Sequence, residues 1–163
     1  MNVFLLRHGI AADPGSRNDS ERPLTSEGRL KLLKVARGLR NLEVSFDIIL
    51  SSPYSRARDT ARLIAKCLNC RQLMMEPGLV PGGSARATIR RVNALKPQPE
   101  NVLLVGHEPD LSRLISLLTA GHSGIQMTMK KGGVCKLSVE TLKHGRCARL
   151  EWLLTPKQLA LMA

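Results

Sequence analysis

Two apolar runs in this sequence break without warning into imidazoles. Val3-Phe4-Leu5-Leu6 runs straight into Arg7-His8-Gly9, and Val102-Leu103-Leu104-Val105 into Gly106-His107. A third run, Phe46 to Leu50, ends in Ser51-Ser52-Pro53 and leads within one helical turn to Arg56. Arginine offers planar paired donors that match two oxygens of a tetrahedral oxyanion, most naturally phosphate. A neutral imidazole can attack phosphorus in line and hold the phosphoryl group until water removes it. A second imidazole can hydrogen-bond an equatorial oxygen and steady the charge spread over the transferring group. Arg7, His8, Arg56 and His107 therefore carry the parts of a phosphoryl-transfer site if the fold brings them together. Singly, each has a plainer reading as a surface pair, a turn imidazole or a solvated helix arginine. Their shared position at strand ends favours the joint reading.

The surrounding elements must do that positioning. Short apolar runs with Phe, Val and Ile suit strands buried on both faces, and open α/β sheets place their ligand crevice beyond the strands' carboxyl ends. Gly9 has no Cβ, so the chain can turn sharply there and admit a ligand to its backbone. The turn-rich stretch 12–23, with Asp13-Pro14-Gly15 and Asn18-Asp19-Ser20, reads as a loop over the crevice. Thr25 reads as the N-cap of a first helix whose stripe is Leu30, Leu33, Ala36 and Leu39 with Val35 beside it. A second helix runs to Leu68 with Arg56 in its opening turn, where backbone N–H groups and the dipole favour an anion.

Gln72 to Met75 reads as a short strand, and Ser84 as the cap of a third helix reaching Leu95, which Lys96-Pro97-Gln98-Pro99 ends. A fourth helix is expected from Pro109 to Ala120 and a last short one from Pro156 to Met162. Val134–Glu140 and Arg146–Leu153, flanking Lys143-His144-Gly145, predict a closing hairpin. The β-α alternation predicts a single three-layer α/β domain over 1–163. Its central sheet is mostly parallel with helices on both faces, and its C-terminal hairpin is antiparallel.

Composition narrows the partners. The net charge of +12 allows attraction of anionic substrates or a merely solvated basic surface. Aromatics make up 2%, too few for the stacking platforms of single-strand binders, so no nucleic acid is expected. No apolar run approaches the roughly 18 residues that span a bilayer, so no membrane is expected either. With no signal-type opening, the expected location is cytoplasmic and the four cysteines should be reduced. Cys67-Leu68-Asn69-Cys70 has a CxxC spacing with only scattered cysteines to complete it, so buried thiols and no metal are the expectation. His122 and His144 lie beside glycines and read as structural or solvent-facing.

Three ordered motifs resemble the histidine phosphatase superfamily, the phosphoglycerate-mutase-like group named for its RHG signature. They are Leu6-Arg7-His8-Gly9, Ser51-Ser52-Pro53 through Arg56-Ala57 with Thr60, and Gly106-His107. The stretch from Asp19 to Thr25, Leu79-Val80-Pro81-Gly82-Gly83 and the compact length resemble its SixA-type phosphohistidine phosphatase branch. The resemblance runs from Met1 to about Ser116. It implies a phosphoglycerate-mutase-like fold with His8 as phosphorylated nucleophile, Arg7 and Arg56 as the phosphoryl clamp and His107 as the fourth pocket member. Arg22 and Gly9 would join the substrate-binding set. No metal and no organic cofactor are implied.

Many relatives that cleave phosphate esters carry a glutamate in the loop after the third strand as general acid. Glu76 is the candidate here, and Asp19 is a second carboxylate able to approach a leaving group. An alkoxide needs a proton to leave, whereas the nitrogen of phosphohistidine leaves as an imidazole whose own ring can accept one. A missing acid would therefore penalise esters more. The implied function is removal of phosphate from phosphohistidine in a signalling or phosphorelay protein. A phosphatase for small phosphate esters or anhydrides, and a non-catalytic phosphate-binding module, are the alternatives.

Overall fold

Successive side chains of a strand point to opposite faces of its sheet, so strands that are apolar throughout need cover on both sides. The computed structural model, which describes residues 1–13, 15 and 18–163, supplies that cover. Pro14, in the turn expected at 13–15, lies outside the described residues. Six strands, β1 (Asn2–Arg7), β2 (Ile48–Ser51), β3 (Leu73–Met75), β4 (Asn101–Gly106), β5 (Val134–Val139) and β6 (Ala148–Leu154), form one mixed sheet. Its order is β3-β2-β4-β1-β5-β6, parallel from β3 to β1 and antiparallel across β5 and β6.

Among the described residues five α-helices flank it: α1 (Ser26–Asn41), α2 (Ser55–Cys67), α3 (Ala85–Asn93), α4 (Asp110–Ala120) and α5 (Pro156–Leu161). Val3, Leu5, Val102 and Leu104 pack on the side of α3 and α4. Their neighbours Phe4, Leu6, Leu103 and Val105 pack on the side of α1, α2 and α5. The expected three-layer α/β architecture and its antiparallel C-terminal hairpin are both present. Among the described residues no helix is long and apolar enough to cross a membrane.

Local chemistry sets most of the boundaries. Thr25 Oγ1 accepts the Gly28 N–H at 2.9 Å and starts α1. The buried stripe of α1 is Leu32, Val35, Ala36 and Leu39, not the one expected: Leu30 and Leu33 are 63% and 38% exposed. Spacings of three and four from Leu32 follow the 3.6-residue period, and Leu30 and Leu33 fall off that line. Ser84 Oγ accepts from Ala87 N–H and opens α3, which ends at Asn93, two residues short of the expected Leu95. All four cysteines are free thiols, but only Cys135 is buried; Cys67, Cys70 and Cys147 are half-buried. Burial pushes the Cys135 thiol up to about 12, which leaves it protonated and inert. His122 and His144 are exposed.

Candidate active site

Register brings the two imidazoles together. β1 and β4 are parallel neighbours with Arg7 level with Gly106, so the next residues, His8 and His107, leave the sheet at one height. On the other side of β4, Ser51 of β2 stands opposite Val105, which sets Ser52 beside His107. The strand order thus dictates the row Ser52, His107, His8. His107 Nε2 lies 2.9 Å from Ser52 Oγ, and the two imidazole centroids are 5.0 Å apart. Arg56, in the first turn of α2, donates from Nε to His8 Nε2 at 3.3 Å. Tyr54 lies edge-on to the His107 ring at 5.3 Å and carries the Arg56 guanidinium at 5.1 Å from its centroid.

A hydrogen bond fixes the proton on the His8 ring. His8 Nδ1 is 2.7 Å from the Gly9 carbonyl. A carbonyl only accepts, so the proton sits on Nδ1 and the lone pair on Nε2. Burial above all, then the charges of Arg56, Arg7 and Lys131, lower the His8 pKa from 6.5 to about 4 against the opposing Gly9 bond. Burial, then His8 and Arg56, lower that of His107 to about 3. Both rings are therefore neutral at neutral pH. Ser52 Oγ accepts the Tyr54 N–H at 3.3 Å and pairs with His107 Nε2 at 2.9 Å, as donor or acceptor according to the His107 tautomer. His107 Nδ1 is buried and meets no protein partner. An orphaned buried polar nitrogen costs about 1–3 kcal/mol, which an anionic ligand at that place would relieve when the proton sits on Nδ1.

The remaining expected residues divide. Arg7 anchors Nη1 on the Met129 carbonyl at 2.7 Å while its Nε is buried without a partner, and its charge is felt at both imidazoles. Asp19 accepts from Arg56 Nη2 at 3.0 Å through Oδ2 and from Arg22 Nη1 at 2.8 Å through Oδ1. Its backbone carbonyl takes Arg56 Nη1 at 2.6 Å. Arg22 therefore reaches Arg56 only through Asp19. The hydrogen bond from Arg22, then that from Arg56, holds the Asp19 carboxyl below its ordinary value and keeps it ionised.

The contacts of the Glu76 carboxylate are with Gly78 and Arg91. Its Oε1 caps the turn Pro77–Leu79 by accepting the Gly78 N–H at 2.8 Å, and its Oε2 lies 4.0 Å from Arg91 Nε. Gly9 has a packing reason to be glycine, since a Cβ there would sit 2.7 Å from Leu32 Cδ1. Its N–H is already given to Thr60 Oγ1 at 3.1 Å, and Thr60 donates in turn to the Arg56 carbonyl.

Sequence reasoning missed the supports. Ser52 and Tyr54 were visible only as residues leading to Arg56, although a polar pair closing an apolar strand was the available signal. The segment 129–133 was also passed over. Gly132, at φ 82, turns there and donates to the Arg7 carbonyl at 3.0 Å, laying Lys130 and Lys131 along the end of β1.

An α/β sheet whose neighbouring strands end in an RHG arginine-histidine pair and a second histidine, beside a helix-borne arginine, is built to take a tetrahedral oxyanion. The model of the histidine phosphatase superfamily (branch 1) matches residues 3–80, a span that holds Arg7, His8 and Arg56. The chain belongs to that superfamily. It is 35% identical over 139 residues to an uncharacterised protein of Picosynechococcus sp., covering 84% of each chain. It is 28% identical over 158 residues to the phosphohistidine phosphatase SixA of Escherichia coli, covering 96% of this chain and 94% of the relative. The solved structure of the protein histidine phosphatase SixA complexed with tungstate superposes with a TM-score of 0.84 at 28% identity, over 98% of this chain and 99% of that one. The fold is thus phosphoglycerate-mutase-like, and the protein is a histidine phosphatase in this family sense.

Proposed function

We propose that this chain is a metal-independent phosphohistidine phosphatase that works in the cytoplasm on a phosphorylated histidine of a signalling or phosphorelay protein. The observation that carries the reading is the His8 imidazole. It is neutral, its Nδ1 proton is tied to Gly9, and its Nε2 lone pair accepts from Arg56 Nε, a hydrogen bond that Arg56 turns to the phosphoryl group as Nε2 attacks. In the first step Nε2 bonds to phosphorus as the bond from phosphorus to the substrate's ring nitrogen breaks. The electron pair stays on that nitrogen, and the leaving imidazole, already protonated at its other nitrogen, departs neutral.

His8 is then a phosphoimidazolium whose remaining N–H still points at the Gly9 carbonyl. Water attacks phosphorus, the P–Nε2 bond breaks, and His8 returns to its neutral form with the same tautomer. Arg7 and Arg56 hold the phosphoryl oxygens, and His107, held at Nε2 by Ser52, takes the tautomer that offers Nδ1–H to the phosphoryl group. An incoming phosphoryl group competes with Asp19 for Arg56.

The carboxylates favour a nitrogen leaving group. Asp19 is held ionised and Glu76 faces Gly78 and Arg91, so neither is set to hand a proton to an alkoxide. An acid of that kind contributes about 10²–10⁴-fold to ester cleavage. The kinship with SixA supports the same substrate class. Side-by-side kcat/KM values for a phosphohistidine peptide and an alkyl phosphate such as glycerol phosphate test the reading. The expected preference for the peptide is about 10²-fold or more. A preference for the ester would return the assignment to small phosphate esters, and turnover of neither would return it to a phosphate-binding module.

A further inference from the structure

A groove of about 890 Å³ opens beside Arg7, and its rim is set with five lysines. Lys31 and Lys34 come from α1, Lys130 and Lys131 from the turn at Gly132, and Lys157 from the first turn of α5. Three segments distant in sequence thus converge on one basic surface. Its floor is Ile10, Pro156 and Ala160. All five lysines are exposed, and among the described residues only Lys31 has an acidic partner, Glu27 at 2.6 Å. The groove ends on Arg7, whose charge, with that of Lys131, is felt at His8.

Resting on the phosphohistidine-protein reading above, we infer that this groove docks an acidic segment of the substrate protein, a short run of Asp and Glu beside the phosphohistidine. The chemistry of the rim selects that occupant. Lysines are flexible, strongly hydrated point charges, suited to several carboxylates of loose geometry. A bound phosphate cluster calls instead for the planar fork of arginine or converging backbone N–H groups. Nothing aromatic lines the groove, so it offers bases no stacking surface. The apolar floor accepts the methylene stems and small side chains between carboxylates, and the lysine stems extend it. The net charge of +12, which the chemistry at His8 leaves unexplained, acquires a role in steering an acidic partner toward the phosphoryl site.

The test uses two phosphohistidine peptides that differ only in flanks, one rich in Glu and Asp and one rich in Ser and Gln, with phosphoramidate as a small substrate. Wild-type protein should prefer the acidic peptide by about tenfold in kcat/KM, chiefly through KM, with the preference shrinking as salt rises. Lys34→Glu/Lys157→Glu should lose that preference while turning over phosphoramidate as before; both positions are exposed, and Lys34→Gln/Lys157→Gln provides a milder pair. Equal rates on the two peptides, or a preference that survives charge reversal, would overturn the inference. Fluorescence anisotropy of the labelled, unphosphorylated acidic peptide decides the matter without catalysis. Binding weakened about tenfold by the Glu pair supports the groove. No binding, or tighter binding of a single-stranded RNA oligomer, overturns it. If neither phosphohistidine peptide is dephosphorylated while phosphoramidate or an ester is, the substrate reading fails, and anisotropy alone judges the groove.

Discussion

Arg56 and Lys157 are both cations on helices, one at His8 and the other on the groove beside Arg7, yet the fold treats them in opposite ways. Arg56 is 5% exposed and each of its three nitrogens has a partner, Nε at His8 and both terminal nitrogens at Asp19. Lys157 is exposed, on a six-residue helix, and has no acidic partner among the described residues. One cation is preorganised for a fixed geometry and the other is free to follow a variable one. A phosphoryl group in transit rewards the first arrangement, because donors already in place need no reorganisation as charge shifts. A surface with several carboxylates rewards the second, where attraction over a Debye length matters more than angle.

Substitutions can sharpen that contrast. Removing the nucleophile is the largest change: His8→Ala should lower phosphate release from a phosphohistidine peptide by about 10⁴-fold or more. Arg56→Ala removes a preorganised donor and should cost about 10²–10³-fold in kcat/KM on every substrate, small or large. Lysine reversal on the groove should spare small substrates, so equal losses from Lys34→Glu/Lys157→Glu on phosphoramidate and on the acidic peptide would erase the distinction between the two regions. Ser52→Ala deletes the bond that holds the His107 ring at Nε2, worth about 1 kcal/mol, or about fivefold in kcat. Nitrogen NMR of the His107 ring should show Nε2 shift as its partner is lost, a signal that a loss of packing alone would not give.

The pH dependence follows from the two buried imidazoles. Both have folded-state pKa values below the ordinary 6.5, near 4 for His8 and 3 for His107. The unfolded chain therefore binds protons that the native protein refuses. The stability contributed by the neutral pair is complete above 6.5 and is lost as pH falls from there toward 4 and 3. Ring-proton NMR should show His8 and His107 not titrating between pH 8 and about 5, and titration of either near its ordinary value would contradict the burial argument. The smallest effect is expected at the cap: Glu76→Ala should lower stability by about 1 kcal/mol in a denaturant melt and leave kcat within about twofold. A large fall in kcat would make Glu76 a participant after all.

Much of this was legible in the chain because a buried strand has a plain signature. Runs such as Leu103-Leu104-Val105 announce a strand covered on both faces, and the first polar residue after them marks the crevice. The pairing of β1 with β4 was not legible, since register depends on partners far away in sequence, and it alone brings His8 level with His107. The same distance hid the pairing of Asp19 with Arg56, which only the folded loop makes. Leu30 and Leu33 look as apolar as Leu32, and only the docking of α1 decides which of them is covered. The turn at 129–133 has no helix or strand period, so Lys130 and Lys131 gave no local sign of their place beside β1. Gly9 was read as a turn, and the structure shows it as the space that Leu32 needs.

The central claim is a phosphoryl group carried on His8 Nε2. Rapid quenching of the enzyme with a phosphohistidine peptide into base, followed by peptide mass spectrometry, tests it most directly. The account predicts an acid-labile, base-stable phosphate on the peptide containing His8, absent in His8→Ala. Full turnover with no phosphate ever trapped on His8, or turnover persisting in His8→Ala, would contradict it.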